Sequence, residues 1–153
     1  MDTKIYKNPT PTTDVIITRE EEILVVKRKR NPFKDELAIP GGFVNQNETV
    51  EQAAVREIME ETALPIRLKE ILGVYSDPKR DPRKHIITTV FIGEIIGNKK
   101  IEPVAGDDAS AIKWISIGSI SDFKFAFDHK RILNDFVRWK HIRGTYWSTK
   151  DPV

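Results

Sequence analysis

Residues 40–64 read PGGFVNQNETVEQAAVREIMEETAL, and a change of rhythm inside this stretch decides how the chain is organised. Pro40-Gly41-Gly42 ends the short apolar run Leu37-Ala38-Ile39 abruptly, and the paired glycines let the chain turn tightly out of it into a loop. From Thr49 onward, Val50, Ala53, Ala54, Val55 and Ile58 fall at helical spacings. Thr49-Val50-Glu51-Gln52 matches a capping box that closes the first turn. Leu64-Pro65 stops the helix after about thirteen residues, because proline cannot continue it. Glu57, Glu60 and Glu61 stand at i, i+3 and i+4 and so share one helical face. Like charges so close repel, at a cost of roughly a few tenths of a kcal/mol per exposed pair. A divalent cation turns that repulsion into coordination, and an all-oxygen donor set selects a hard ion, Mg²⁺ with Mn²⁺ as substitute. A bare E-x-x-E-E is more often a solvated acidic face, so the flanking residues must decide.

Upstream, Asp14 to Thr18 and Ile23 to Lys27 are short β-branched runs separated by Arg19-Glu20-Glu21-Glu22, which suits a hairpin. The stretch before Asp14, with Pro9 and Pro11 among threonines, reads as an extended lead-in. Downstream, strand-like runs recur at Leu68 to Tyr75, His85 to Ile96 and Ile112 to Ile115. The middle run is apolar on both alternating sets, as expected of a central strand. Ile132, Leu133, Phe136 and Val137 mark a second amphipathic helix from about Asp128 to Lys140. The order strands, helix, strands, helix indicates an α/β fold, an α/β/α sandwich around a mixed sheet. One domain over 1–153 is expected, with its core at 9–140 and a short ordered or frayed tail from Gly144.

Composition narrows the chemistry. The chain has 153 residues, 39% hydrophobic and 31% charged, which is neither the profile of disorder nor that of a membrane protein. No apolar run approaches 18 residues, and Met1-Asp2-Thr3-Lys4 lacks a leader's apolar stretch, so the cytoplasm is the expected compartment. Without cysteine, thiolate metal sites and a cysteine nucleophile are excluded. A formal charge of +2 is too small to imply bulk nucleic-acid binding. Local basic clusters, Lys27 to Arg30 and Lys79-Arg80 with Arg83-Lys84, are solvated charge unless something else supports them.

The span from Gly42 through Glu48 to Arg56-Glu57-Ile58-Met59-Glu60-Glu61-Thr62-Ala63-Leu64 resembles the Nudix box, G-x5-E-x7-R-E-U-x-E-E-x-G-U. Every defined position matches except Ala63, where the family has glycine. A pattern this long is far more specific than a lone glycine fingerprint. The resemblance implies a Nudix-type sandwich, with Glu57, Glu60, Glu61 and the Gly41 carbonyl as metal ligands. It also implies that Arg56 pairs with Glu48 or a neighbouring carboxylate and fixes its orientation. The reaction implied is metal-assisted attack of water on a pyrophosphate. Two readings of the general base stay open: Glu48, and the loop Gly106-Asp107-Asp108. At Ala63, a left-handed helix terminus would cost alanine about 1 kcal/mol relative to glycine.

Three further stretches resemble the ADP-ribose pyrophosphatase branch: Tyr75-Ser76-Asp77-Pro78 with Arg80-Asp81-Pro82-Arg83 and His85, then Gly106-Asp107-Asp108-Ala109 ahead of Trp114, and Ala126-Phe127-Asp128-His129. The resemblance implies a small nucleotide as partner, with neither nucleic acid nor membrane involved, and a homodimer as in relatives of this branch. Arg28, Arg80 and Arg83 suit a fork for phosphate or ribose oxygens. Phe33, Phe43 or Tyr75 would stack on adenine, against the commoner role of such rings as core. His129 reads as a hydrogen-bonding residue at a helix start. Two alternatives to ADP-ribose hydrolysis stand beside it: a nucleoside triphosphate pyrophosphatase, and a sensor that binds ADP-ribose without cutting it. The intact glutamates favour catalysis.

Overall fold

The computed structural model describes residues 5–151; Met1 to Lys4, the stretch read as lacking a leader's apolar run, and the last two residues of the tail lie outside them. The expected hairpin is β1 (Thr10–Arg19) with β2 (Glu22–Arg28), turning at Glu20, which adopts φ 54°. Then come β3 (Leu37–Ala38), β4 (Gly41–Phe43), α1 (Val50–Thr62), β5 (Ile66–Tyr75), β6 (Ile86–Ile95), β7 (Ala109–Ser116), a 3₁₀ turn (Ile117–Asp122), α2 (His129–His141) and β8 (Tyr146–Trp147). The sheet runs β3-β2-β1-β6-β5-β8, with β4 added to β1 and β7 to β2. β6 lies between β1, which it pairs in parallel, and β5, which it pairs antiparallel, so its two apolar faces reflect a central position.

Alternation along β1 assigns the layers. Val15 and Ile17 pack with Ala54 and Ile58 of α1, whereas Ile16 packs with Ile132, Leu133 and Phe136 of α2. The two helices therefore cover opposite faces of a mixed sheet, and the α/β/α sandwich holds. Among the described residues, no helix is long and apolar enough to cross a membrane.

Two local readings need correction, and a third, the ordered or frayed tail, resolves to ordered. The lead-in before Asp14 is strand from Thr10, because β6 pairs it on one side and β4 on the other. Pro11 is tolerated there, and its carbonyl accepts the Val44 N–H at 3.2 Å. Gly41 and Gly42 do not make a tight turn: neither has a positive φ, and both pair with β1 within β4. The tail adds an edge strand, with Tyr146 buried and β8 parallel to β5. Each of these features depends on a partner distant in sequence, which local propensity does not register.

Candidate active site

α1 starts as its sequence dictates. The Thr49 side chain accepts the Gln52 N–H at 3.1 Å, and the Gln52 side chain accepts the Thr49 N–H at 2.9 Å. Ala53, Ala54 and Ile58 are buried, and this fixes the rotation of the helix so that Glu57, Glu60 and Glu61 face β4 and the loops beyond it. Gly42 leaves room for the Glu57 carboxylate: a Cβ there would force that carboxylate to shift. The Gly41 N–H donates to Glu61 Oε2 at 3.0 Å.

Arg56 organises the acidic face. Its guanidinium grips Glu48 with two bonds, 2.6 Å to Oε1 and 3.0 Å to Oε2. It also donates to Glu57 at 2.9 Å, to Glu60 at 3.2 Å and to the Phe43 carbonyl at 3.0 Å. One planar side chain thus locks the box loop, two of the three glutamates and β4 into register. Glu48 also accepts the Asn45 N–H at 2.7 Å, and its bonds to Arg56 hold its pKa below the ordinary carboxylate value. A carboxylate so engaged is a weak proton acceptor at neutral pH.

Glu61 is the opposite case. Burial, with Glu57, Asp14 and Asp108 nearby, raises its pKa to about 8 against the Gly41 hydrogen bond. Glu57 is also raised, by burial first, with Arg56 opposing. Among the described residues no three acidic or imidazole groups already form a closed metal cage. The donors nevertheless fit a hard divalent cation: they are all oxygens, gathered on one face, and burial leaves Glu61 a proton that such a cation would replace.

The C-terminus of α1 ties a second acidic loop to this face. Ala63 is left-handed at φ 59° and its N–H returns to the Met59 carbonyl at 2.9 Å. The next carbonyls are taken from outside the helix: Glu61 by the Gly106 N–H at 2.9 Å and Thr62 by the Val104 N–H at 2.8 Å. Any Cβ at Gly106 would strike the Glu60 backbone. Asp107 and Asp108 follow directly and line the same cleft as the three glutamates.

That cleft has a volume of about 610 Å³. The cleft is also lined by basic and aromatic side chains: Arg28, Arg30, Arg80 and Arg83 with Phe43 and Phe127. Arg83 is held by both Asp81 oxygens at 3.1 and 2.8 Å, and its guanidinium carbon stands 5.9 Å from the Phe43 ring centre and 5.6 Å from that of Phe127. Arg28 donates to the Pro32 carbonyl at 2.8 Å and lies 4.9 Å from the Phe127 ring. Arg80 is placed differently: its buried guanidinium forms a two-bond pair with Asp128, at 2.7 and 3.0 Å. Its bonds thus go to the start of α2 rather than into open cleft. Phe43 is 39% exposed and available for stacking, while Phe33 packs edge-on against Phe127 at 4.9 Å. Tyr75 is not a stacking surface, because it is wholly buried with its O–H donating to Asp135 at 2.8 Å.

His129 is the expected hydrogen-bonding residue at a helix start: Nδ1 accepts the Ile39 N–H at 3.0 Å, and burial lowers its pKa to about 4. Asp14, Asp81, Arg30 and Phe127 also line the cleft, though the sequence did not single them out as site residues. Arg30 lay in a basic cluster, Asp81 and Phe127 lay inside the stretches that resemble the ADP-ribose branch, and the signal at Asp14 is an acid directly beside the buried run Val15-Ile16-Ile17.

A family model described as NUDIX domain matches residues 8–136, which is most of the chain. The chain belongs to the Nudix family. This Nudix chain is 49% identical over 138 residues to an ADP-ribose pyrophosphatase of Methanocaldococcus jannaschii, covering 90% of this chain and 79% of that protein. It is 37% identical over 122 residues to a putative 8-oxo-dGTP diphosphatase of Bacillus subtilis, covering 80% and 75%. Among solved structures, a bifunctional NMN adenylyltransferase/ADP ribose pyrophosphatase from Francisella tularensis superposes with TM-score 0.76 at 32% identity. That match covers 92% of this chain and 43% of the longer one. The fold is shared with that solved structure over nearly the whole of this chain.

Proposed function

We propose that this chain is a Mg²⁺-dependent pyrophosphohydrolase that cleaves ADP-ribose to AMP and ribose 5-phosphate, with Mn²⁺ able to replace Mg²⁺. One observation carries the reading: a single cleft of about 610 Å³ is lined by the three glutamates of α1 together with four arginines, the exposed ring of Phe43 and the half-buried ring of Phe127. The volume suits a dinucleotide-sized ligand, and the lining suits its two chemistries, a metal-bound pyrophosphate and flat or polar end groups. The 49% identity to a protein named ADP-ribose pyrophosphatase supports the same choice.

Glu57, Glu60 and Glu61, with the Gly41 carbonyl, are the groups that would hold the cation. When bound, it supplies charge neutralisation for pyrophosphate oxygens and acidity for a coordinated water. Arg56 keeps Glu57 and Glu60 oriented, and Glu48 serves as its anchor. We assign the proton-accepting role to Asp108. It is close enough to raise the Glu61 pKa, it faces Arg30 at 3.9 Å, and its loop is fastened to α1. Asp107 adds negative charge beside it. Arg28 and Arg83 present cationic edges to phosphate or ribose oxygens, and Phe43 offers a face to the base. Arg80 acts through Asp128, holding the start of α2 against the cleft.

The 8-oxo-dGTP diphosphatase relative favours one rival, attack on nucleoside triphosphates. A panel of ADP-ribose and nucleoside triphosphates with Mg²⁺, products separated by chromatography, decides between them. Our reading expects ADP-ribose to give the highest kcat/KM and no pyrophosphate. Preferential release of pyrophosphate from a triphosphate would reject it. A homodimer is part of the proposal, read by sedimentation.

A further inference from the structure

Asp14 sits in β1 directly before the buried Val15-Ile16-Ile17 and is only 8% exposed. Its Oδ2 accepts the Thr88 hydroxyl proton from neighbouring β6 at 2.7 Å. His129 Nε2, at the start of α2, faces the same oxygen at 4.0 Å. Because His129 Nδ1 accepts the Ile39 N–H, it carries no proton, and the ring hydrogen lies on Nε2 toward Asp14. The Thr88 hydrogen bond thus orients this carboxylate, with the His129 ring edge beyond hydrogen-bond distance of the same oxygen.

Its other oxygen is not so provided for. Among the described residues no donor reaches Oδ1. The arginines of the cleft wall direct their hydrogen bonds elsewhere: Arg80 to Asp128, Arg28 to Pro32 and Arg83 to Asp81. Oδ1 lies against Gly41, where any side chain would collide with it. The same Gly41 holds Glu61 Oε2 through its N–H at 3.0 Å. Two carboxylates therefore meet across one glycine in the lining of the cleft, one of them with a mostly buried side chain whose second oxygen receives no protein donor and opens to the cleft. A carboxylate oriented in this way beside another suits a cation entering from the cleft.

We propose that Asp14 belongs to the metal centre: its Oδ1 and the Glu61 carboxylate take a divalent cation between them across Gly41. Thr88 is then a positioning residue that fixes the direction of Oδ1. This rests on reading the glutamate face of α1 as a metal site, but not on the identity of the nucleotide. It adds a ligand from the first strand to a set otherwise drawn from the box.

The test is Mn²⁺ binding to the full chain without nucleotide, followed by calorimetry or by the free-Mn²⁺ spin-resonance signal. Asp14→Asn keeps the size of the side chain and removes its charge. Its Mn²⁺ affinity should fall by about tenfold or more, the loss typical of a metal-shell residue. The rise in melting temperature that Mn²⁺ gives the parent protein should shrink accordingly. Asp122→Asn, an exposed carboxylate on the 3₁₀ turn, controls for the loss of one negative charge and should bind as the parent does. Unchanged Mn²⁺ affinity in a folded Asp14→Asn protein overturns the proposal, including the case in which only KM for ADP-ribose rises. If Asp14→Asn does not fold, Thr88→Val leaves the carboxylate but frees its orientation and should weaken Mn²⁺ binding by roughly two- to tenfold. A folded Thr88→Val protein with the parent's affinity overturns the proposal equally. Failure to cleave ADP-ribose would leave both readouts intact, so the two readings fail separately.

Discussion

The raised pKa of Glu61 makes metal binding a pH-dependent event of calculable size. Its folded value is about 8, against an ordinary 4.5. At pH 7 the metal-free site therefore keeps roughly 0.9 of a proton on Glu61, and each bound cation must release about that much. Between pH 8 and pH 6 the ionised fraction falls from about one half to about one hundredth, so Mn²⁺ affinity should drop about fiftyfold. Glu57, raised in the same direction, adds to the effect. Calorimetric titration at several pH values, in two buffers of different ionisation enthalpy, reads both affinity and proton release. The same shift appears in stability. Glu61 holds a proton in the folded metal-free chain that the unfolded chain has lost between about pH 4.5 and 8, while buried His129, lowered to about 4, works in the opposite sense up to about 6.5; stability should therefore fall with rising pH between about 6.5 and 8. Cation-saturated protein should not show this decline. Affinities at pH 6 and 8 within about threefold of each other, with no proton released, would refute the assignment of Glu61 as a buried ligand.

Glu57→Gln should lower kcat/KM at least roughly a thousandfold while circular dichroism and melting stay near the parent's, because only the acidic charge beside Gly42 is lost; parental rates in the folded variant would remove Glu57 from the metal site. Arg56→Lys cannot grip Glu48 with two bonds while also reaching Glu57, Glu60 and the Phe43 carbonyl, so activity and Mn²⁺ affinity should fall about 10- to 100-fold. A change smaller than threefold in steady-state kinetics would contradict that role. Ala63→Gly relieves a left-handed alanine at φ 59° and should raise stability by about 0.5–1 kcal/mol in urea unfolding, with kcat unaltered. Destabilisation would mean that the glycine's greater freedom in the unfolded chain outweighs the relief.

The legible parts of this molecule are those whose cause is local. Thr49 and Gln52 cap a helix because their side chains reach their own backbone, and a reader of the sequence can place that bond. The glutamate face follows from helical geometry alone, and the hairpin from two β-branched runs with a polar turn. What the sequence concealed is long-range. Gly42 reads as a turn residue, yet its reason is the Glu57 carboxylate fifteen positions later, an approach visible only once β4 has added to β1. Arg80 reads as a free cation on a proline-stiffened loop, but Asp128 on the far side of the chain takes its guanidinium. Tyr75 has an adenine-stacking face in principle, and burial against α2 removes it. The choice between Glu48 and the Gly106 loop as base was equally beyond local reading. In our proposal it turns on which carboxylate Arg56 engages and on how Gly106 is tied to the end of α1.

The most direct test of the account is hydrolysis of ADP-ribose with Mg²⁺ in ¹⁸O-labelled water, with mass analysis of both products. The expected result is AMP and ribose 5-phosphate, one ¹⁸O per turnover on the phosphate of one of them, and no pyrophosphate. Tight binding of ADP-ribose without turnover, or label appearing anywhere but a phosphate, would contradict the claim that this cleft directs water onto a metal-bound pyrophosphate.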